Sequence, residues 1–367
     1  MRTALCEELG IEHPIVGFTP SEHVAAAISR AGGLGVLGCV RFNDAQELDA
    51  VLHWMDENTG GKPYGVDVVM PSNVPTEGAP DDLSELIPEQ HRDFVNRTLS
   101  QLGVPELPEG EQVGDGVLGW LHSVARSHVE VALEHPVSLI ANALGSPPPD
   151  VIDQAHGHGV RVAALAGTAE HAKRHVDKGV DLVVAQGHEA GGHTGEIASM
   201  VLVPEVVDAV GDRVPVLAAG GIGSGRQIAA ALSLGAAGAW MGSCWLTTAE
   251  YTMTTGDGAV QTALLGASSS DTVRTRIYTG KPARLLRTEW TKAWEQPEAP
   301  EPLPMPLQNL LVSQAHQRMS RGGDPQAVSM PIGQIVGRMN DVQPVSDLIT
   351  KLLREVEETF GRLDKLR

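Results

Sequence analysis

The chain has 367 residues, 42% of them hydrophobic, with 46 acidic against 27 basic side chains and a formal net charge of −19. That balance excludes a nucleic-acid partner, whose phosphates need a basic surface to neutralise them, and reads as solubility. Three scattered cysteines, Cys6, Cys39 and Cys244, have no C-x-x-C spacing, which excludes a disulfide framework and a thiolate metal site.

The N-terminal stretch "MRTALCEELGIEHPIVG" carries charges where a signal peptide needs a continuous apolar region. No stretch approaches the ~20 apolar residues of a membrane span. Together with the cysteine usage, this gives the expectation of a soluble, cytoplasmic protein with no membrane partner.

Short β-rich apolar runs then alternate with Ala-rich helical stretches. "HPIVGF" leads into the helical "SEHVAAAISRA", "GLGVLG" into "DAQELDAVLHWMDEN", and the third run is "YGVDVVM". The beat resumes at "VSLIANA", followed by the helical "PPDVIDQAHGHG", and at "GVRVAALA", followed by "TAEHAKRHVDKG". "GVDLVVAQ", "VPVLAAGG" with its helix "SGRQIAAALSLG", and "AAGAWMG" complete eight runs. Continuously apolar strands are expected where both faces are buried, as in parallel sheets. Eight βα units favour an α/β fold of the (β/α)8 TIM-barrel type over an open doubly wound sheet, spanning residues 1–250.

Two segments break the beat. Residues 71–126 are rich in Pro, Gly and acids and follow the third run, so they read as a covering excursion at the barrel mouth. Residues 251–367 contain "WEQPEAPEPLPMP" and end in the helical "PVSDLITKLLREVEETFGRLDK". They read as a C-terminal helical segment packed near the mouth.

Gly33, Gly35 and Gly38 form a literal G-x-G-x-x-G, the dinucleotide fingerprint. That fingerprint must follow a strand and open a helix, whereas this one follows a helix and forms a strand. Strand–helix packing is therefore the better account of these glycines. After the seventh run, Gly220-Gly221 precede a helix starting near Ser224, and after the eighth come Gly242 and Ser243. Backbone N–H groups freed by such glycines, with a helix dipole behind them, suit a phosphate, and barrels recurrently place one there.

The stretch "AQGHEAGGHTGE", Ala185 to Glu196, follows the sixth run and projects from the same face. His188 and His193 are five apart with Gly191-Gly192 between them, which rules out the helical His-Glu-x-x-His zinc motif. A histidine on this loop beside a phosphate-anchored ligand is either a general base or a satisfied loop residue. His156 and His158 fall at a helix end. His171 and His175, one turn apart, read as a solvated helix face away from the active side.

"AGGLGVLG", "LVVAQGHEAGGHTG", "VPVLAAGGIGSGRQIAAALSLGAAGAWMGS", "TGKPARLLRTEW" and "GQIVG" occur in the order that resembles the FMN-dependent nitronate monooxygenases. The resemblance runs from about Ile11 to the C-terminal helix and is weakest across 71–126. It implies non-covalent FMN, its phosphate held by Gly220, Gly221, Gly242 and Ser243. Gln186 would lie by the flavin ring, with Gly191 and Gly192 letting the loop pass close and Gln334 packing near the site. His193, followed by Thr-Gly, matches the family's catalytic base; His188 does not. The substrate would be a small molecule, with O2 or NAD(P)H as co-substrate, and a homodimer stays open.

Two positions depart from the family. The stretch after the first run, which in the family contacts the flavin, reads Gly17-Phe18-Thr19 in place of Ala-Pro-Met, and the Gly-Val-Asn position reads Gly65-Val66-Asp67, so that Gly17 and Asp67 would border the cofactor. An ionised Asp67 only accepts hydrogen bonds, where an amide also donates, and its negative charge would disfavour an anionic reduced flavin. The same group is similar to flavin-dependent enoyl-thioester and quinone reductases, so an NAD(P)H-dependent reductase is the alternative expectation. A non-catalytic phosphate-binding barrel is the third.

Overall fold

The structure, a computed structural model, describes residues 2–70, 83–107, 122–251 and 258–366. In chain order the strands are β1 (Ile15–Thr19), β2 (Leu34–Gly38), β3 (Tyr64–Val68), β4 (Val137–Asn142), β5 (Arg161–Ala166) and β6 (Leu182–Gln186). They continue as β7 (Gly192–His193), β8 (Val216–Ala219), β9 (Gly238–Met241), β10 (Thr272–Thr275) and β11 (Ala283–Leu286). All but β7, β10 and β11 form one closed parallel barrel, and β9 pairs back onto β1. Each of the eight apolar runs is thus a barrel strand, and the fold is a (β/α)8 TIM barrel. The barrel interior is filled by Val16, Val36, Leu139, Leu182, Leu217 and Trp240, among others.

The helices are α1 (Ala4–Leu9), α2 (Glu22–Arg30), α3 (Ala45–Asn58), α4 (Glu89–Gln101), α5 (His122–Ala132), α6 (Pro149–Gly157) and α7 (Ala169–Asp177). After them come α8 (Ser199–Val210), α9 (Gly225–Ser233), α10 (Ala259–Leu265), α11 (Glu289–Ala293), α12 (Leu307–Gly322) and α13 (Val345–Asp364). Side-chain caps start three of them: Ser21 accepts from the Val24 amide, Asp44 from Glu47 and Thr168 from His171. Each such cap is worth about 0.5–2 kcal/mol. Gly35 shows what the glycine-rich run is for. A Cβ there would lie 2.0 Å from the Ala25 carbonyl oxygen, so α2 rests directly on β2.

Of the excursion, residues 71–82 and 108–121 lie outside the described residues; the rest supplies α4 and α5. Phe94, Val95 and Leu99 of α4 share a hydrophobic core with Trp290, Trp294, Leu311 and Val312 of the tail. Arg318 of α12 ties the two together, donating to the carbonyls of Val104 at 3.0 Å and Pro105 at 2.8 Å. The tail is not wholly helical, as its composition suggested: β10 and β11 form an antiparallel sheet with β7. Its last helix, α13, packs against both α9 and α2, at the outer-ring position between them. Among the described residues, no helix is long and apolar enough to cross a membrane.

Candidate active site

The loop after β6 is held from three sides. The Glu189 carboxylate accepts from the Ser199 amide at 3.1 and 3.2 Å and from its hydroxyl at 2.5 Å, which caps α8. The His188 carbonyl accepts from Arg284 Nε and Nη2 at 3.2 and 3.0 Å, while the His188 ring is 38% exposed. Gly191 faces the tail so closely that a Cβ would sit 2.7 Å from the Gly333 nitrogen. Gly192 has φ 72°, and with His193 it then pairs antiparallel to Arg284 and Ala283.

This pairing fixes His193. Its Nε2 lies 2.6 Å from Thr279 Oγ1, an oxygen that also accepts from the Lys281 amide at 3.4 Å. A hydroxyl can donate as well as accept, so this contact suits either neutral tautomer of the ring. Burial, and then the positive charge of Lys281, holds the imidazole down to about 4, so it is neutral near pH 7. Neither Thr279 nor Lys281 was assigned a role in the sequence, although both lie in its "TGKP" motif.

The two phosphate-loop motifs come together beside this loop. Gly220 and Gly221 have φ of 99° and 67°, and a Cβ on Gly220 would lie 3.1 Å from the Gly187 carbonyl oxygen. The amides of Gly221, Ile222 and Gly242 donate to no acceptor among the described residues. The Ser243 hydroxyl oxygen accepts from the Gly333 amide at 2.9 Å, leaving its proton to point elsewhere. Unpartnered donors on two adjacent loops are what an anion requires. The first turn of α9 contributes less than its dipole suggested, because Glu355 already accepts from the Gly225 amide at 2.8 Å. Gln334 joins the cluster through its backbone, donating to the Glu189 carbonyl at 2.9 Å.

Gly17 stands apart from this cluster. It lies inside β1, and a Cβ there would be 2.4 Å from Ile28 Cδ1 and 2.9 Å from Trp245 Nε1, so its lack of a side chain serves helix packing. Asp67 lies next to the end of β3, buried, and burial pushes its carboxyl up to about 7. At that value the protonated form, which can donate, is populated near neutrality beside the carboxylate, which only accepts.

A cavity of about 590 Å3 opens beside His193. Gln186, His193, Thr194 and Lys281 line one end, the loop Ala143–Ser146 one wall, and His171, Arg174, His175 and Lys178 of α7 the other. The reading of His171 and His175 as a solvated face holds for His171, which is exposed, and is overturned for His175; both line this cavity. His175 is buried; its Nε2–H donates to the Leu165 carbonyl at 3.1 Å, so Nδ1 accepts from the Ser146 hydroxyl at 2.6 Å. An i, i+4 pair on an Ala-containing helix carries no signal that a Pro-rich loop will cover it. His156, by contrast, does sit at a helix end, 2.8 Å from Asp181.

The site shows no metal constellation. Among the described residues, the grouping of His, Cys, Asp and Glu close enough to share an ion is Asp49, His53 and His135, none of which lines this cavity.

Residues 2–355 match the family model described as nitronate monooxygenase. Rv1533 of Mycobacterium tuberculosis, described as a monooxygenase, is 49% identical across all of this chain and 99% of its own. A Staphylococcus haemolyticus protein described as a nitronate monooxygenase is 29% identical, with 96% of each chain covered. Among solved structures, nitroalkane oxidase from Streptomyces ansochromogenes is similar with a TM-score of 0.80 at 29% identity, covering 98% of this chain and all of that one. FabK from Thermotoga maritima is similar with a TM-score of 0.73 at 26% identity, with both chains fully covered.

Proposed function

The chain belongs to the nitronate monooxygenase family, and from that premise we propose that it is an FMN-dependent enzyme oxidising alkyl nitronates, or the nitroalkanes that give rise to them, with O2 to carbonyl compounds and nitrite. The observation that carries this reading is His193: a neutral imidazole on the lining of a cavity wide enough for a substrate. Family membership also sets aside the non-catalytic barrel, because the chain is an oxidoreductase of this type.

The residues present fit FMN. The unpartnered amides of Gly221 and Gly242 and the outward proton of Ser243 suit its phosphate, with Gly220 giving the turn. Gln186 ends β6 and Asp67 lies next to the end of β3, and these two would meet its ring, with Gly191, Gly192 and Gln334 on the loop that would border it. When bound, FMN supplies electron acceptance from the substrate carbon and the return of those electrons to O2.

The chain's own part is proton transfer and orientation. The neutral His193 imidazole takes the proton from the carbon bearing the nitro group, and the C–H electron pair stays on the substrate as the nitronate. Lys281 places positive charge beside that developing anion, and Thr279 holds the ring in the receiving orientation. A substrate already present as its nitronate bypasses the proton step and needs only the binding groups.

The test is a visible spectrum of the purified protein, followed by anaerobic mixing with ethylnitronate, NADH or NADPH. Flavin bleaching by the nitronate, with nitrite formed on admitting O2, is the expected result. Bleaching by a pyridine nucleotide alone replaces this reading with an NAD(P)H-dependent reductase of an enoyl thioester or quinone. One observation favours that second reading: about 590 Å3 is the scale of pockets for drug-sized ligands, larger than a short nitroalkane needs.

A further inference from the structure

The cavity beside His193 has an electrostatic character opposite to that of the chain. The protein carries 46 acidic and 27 basic residues, yet no Asp or Glu lines this cavity among the described residues. Its lining holds Arg174, Lys178 and Lys281, and none of the three has a carboxylate within ion-pair distance among the described residues. A carboxylate on the same helix is already taken: Arg213 pairs with Asp177 at 2.9 Å.

The arrangement of these charges is linear. His171, Arg174 and Lys178 follow at helical spacing, so they share one face of α7 and its C-cap. At 1.5 Å per residue, that face runs for roughly 10 Å. His193 and Gln186 belong to the same cavity, so this strip continues the space in which the reacting carbon would lie. The field it makes is felt by its neighbours. His175 is held down to about 4 by burial first, with His171, Lys178 and Arg174 adding to the effect.

We propose that the Arg174–Lys178 face of α7 is a subsite for a phosphate-bearing tail, making the natural substrate an elongated phosphoester or diphosphate whose far end reaches His193. The inference rests on the reading that the reacting carbon meets His193. Phosphate is favoured over a single carboxylate because two neighbouring cations, one of them a guanidinium able to bind two oxygens at once, match a multiply charged anion. A short neutral nitroalkane would use the inner end alone and leave the charged strip in water.

Two measurements on the flavin-loaded protein test it. Inorganic pyrophosphate titrated by calorimetry should bind saturably, and Arg174→Ala/Lys178→Ala should weaken that binding at least about 10-fold. Both side chains are exposed, so the double variant is expected to fold, which its circular dichroism checks. The second measurement compares three nitronates on one chain of about ten atoms, ending in phosphate, carboxylate or hydroxyl. The phosphate-ended chain should lead the hydroxyl-ended one by about 10-fold or more in kcat/KM, and the ratio should fall towards one in the double variant.

Absent pyrophosphate binding, binding unchanged in the double variant, or equal kcat/KM for phosphate and hydroxyl ends would each overturn the subsite. A carboxylate end preferred as strongly as phosphate overturns the phosphate assignment. If pyrophosphate binds through Arg174 and Lys178 while no nitronate is oxidised, the subsite stands and the nitronate reading falls. If nitronates are oxidised without any preference, the reverse holds.

Discussion

His193 and Thr279 meet side chain to side chain, Nε2 to Oγ1 at 2.6 Å, across 86 residues of sequence. The contact exists because β11 leaves the tail, pairs with β7 and delivers the "TGKP" turn onto the loop from β6. A base held this way keeps one ring orientation beside the cavity. Thr279→Val keeps the volume and removes the hydroxyl. Turnover of nitroethane should fall about tenfold, while oxidation of preformed ethylnitronate changes little. An equal loss on both substrates would show that Thr279 acts on binding or folding rather than on the base.

The depressed pKa of His193 sets a pH profile. The base works only when neutral, so kcat/KM for a nitroalkane should be flat from about pH 8 down to pH 6 and fall at lower pH, with an inflection near 4. An ordinary histidine would give an inflection near 6.5. Lys281→Met removes the second cause of the shift and leaves burial, the first, so the inflection should rise but stay below 6.5. A wild-type inflection at 6.5 would show that the ring is far more solvated than its surroundings imply.

The two loop histidines separate cleanly by geometry. His193→Asn should lower nitroalkane turnover by a factor of about 100 or more, within the range that a general base contributes, with the flavin still bound. His188, whose ring is exposed and whose anchoring runs through its carbonyl, should tolerate Asn with little loss. Comparable losses in the two variants would remove the assignment of the base.

Asp67 makes a redox prediction. Its carboxyl is pushed up to about 7 by burial, so it is neutral below that pH and negative above it. A negative charge near an electron-rich ring makes reduction harder. The midpoint potential of the wild type should therefore drop below that of Asp67→Asn as pH rises through about 7, and the two should converge at pH 5.5. Roughly 30 mV would correspond to a tenfold change in a two-electron equilibrium. Identical potentials at pH 8.5 would place Asp67 outside the reach of the flavin.

Much of this was legible in the sequence, for physical reasons that also explain the gaps. The barrel strands are buried on both faces and so announce themselves as apolar runs; Gly33 to Gly38, read as a strand against its motif, is one. Helix α8 was not legible because "SMVLVPEVVDAV" is rich in Val and interrupted by Pro204, and packing overrides that local preference. The glycines of the site were readable because their motifs are contiguous. Thr279, Lys281 and the α7 face were not, because each gains its role from a partner brought in by β11 or by the Ala143–Ser146 loop. Phe94 and Trp294 share a core for a similar reason: the excursion and the tail are far apart in sequence and carry no mutual signal.

Acid stability tests the buried histidines as a set. His193, His175 and His316 are each held down to about 4, chiefly by burial. In the unfolded chain they take up protons below about 6.5, and in the folded chain only near 4, so stability is lost as pH falls through that window. Asp67 works the other way, since the folded chain keeps its proton up to about 7 and the unfolded chain releases it near 4. His316 is the cleanest of the three to change. Its Nε2 is buried with no hydrogen-bond partner among the described residues, and its ring stacks on Tyr278 at 5.1 Å. His316→Phe keeps the stack and removes the titration. At pH 7.5 the variant should melt close to the wild type. At pH 5 it should be more stable, by on the order of 2 kcal/mol, the cost of holding one such imidazole neutral 1.5 units below its unfolded pKa. An equal melting difference at both pH values would assign the effect to packing instead.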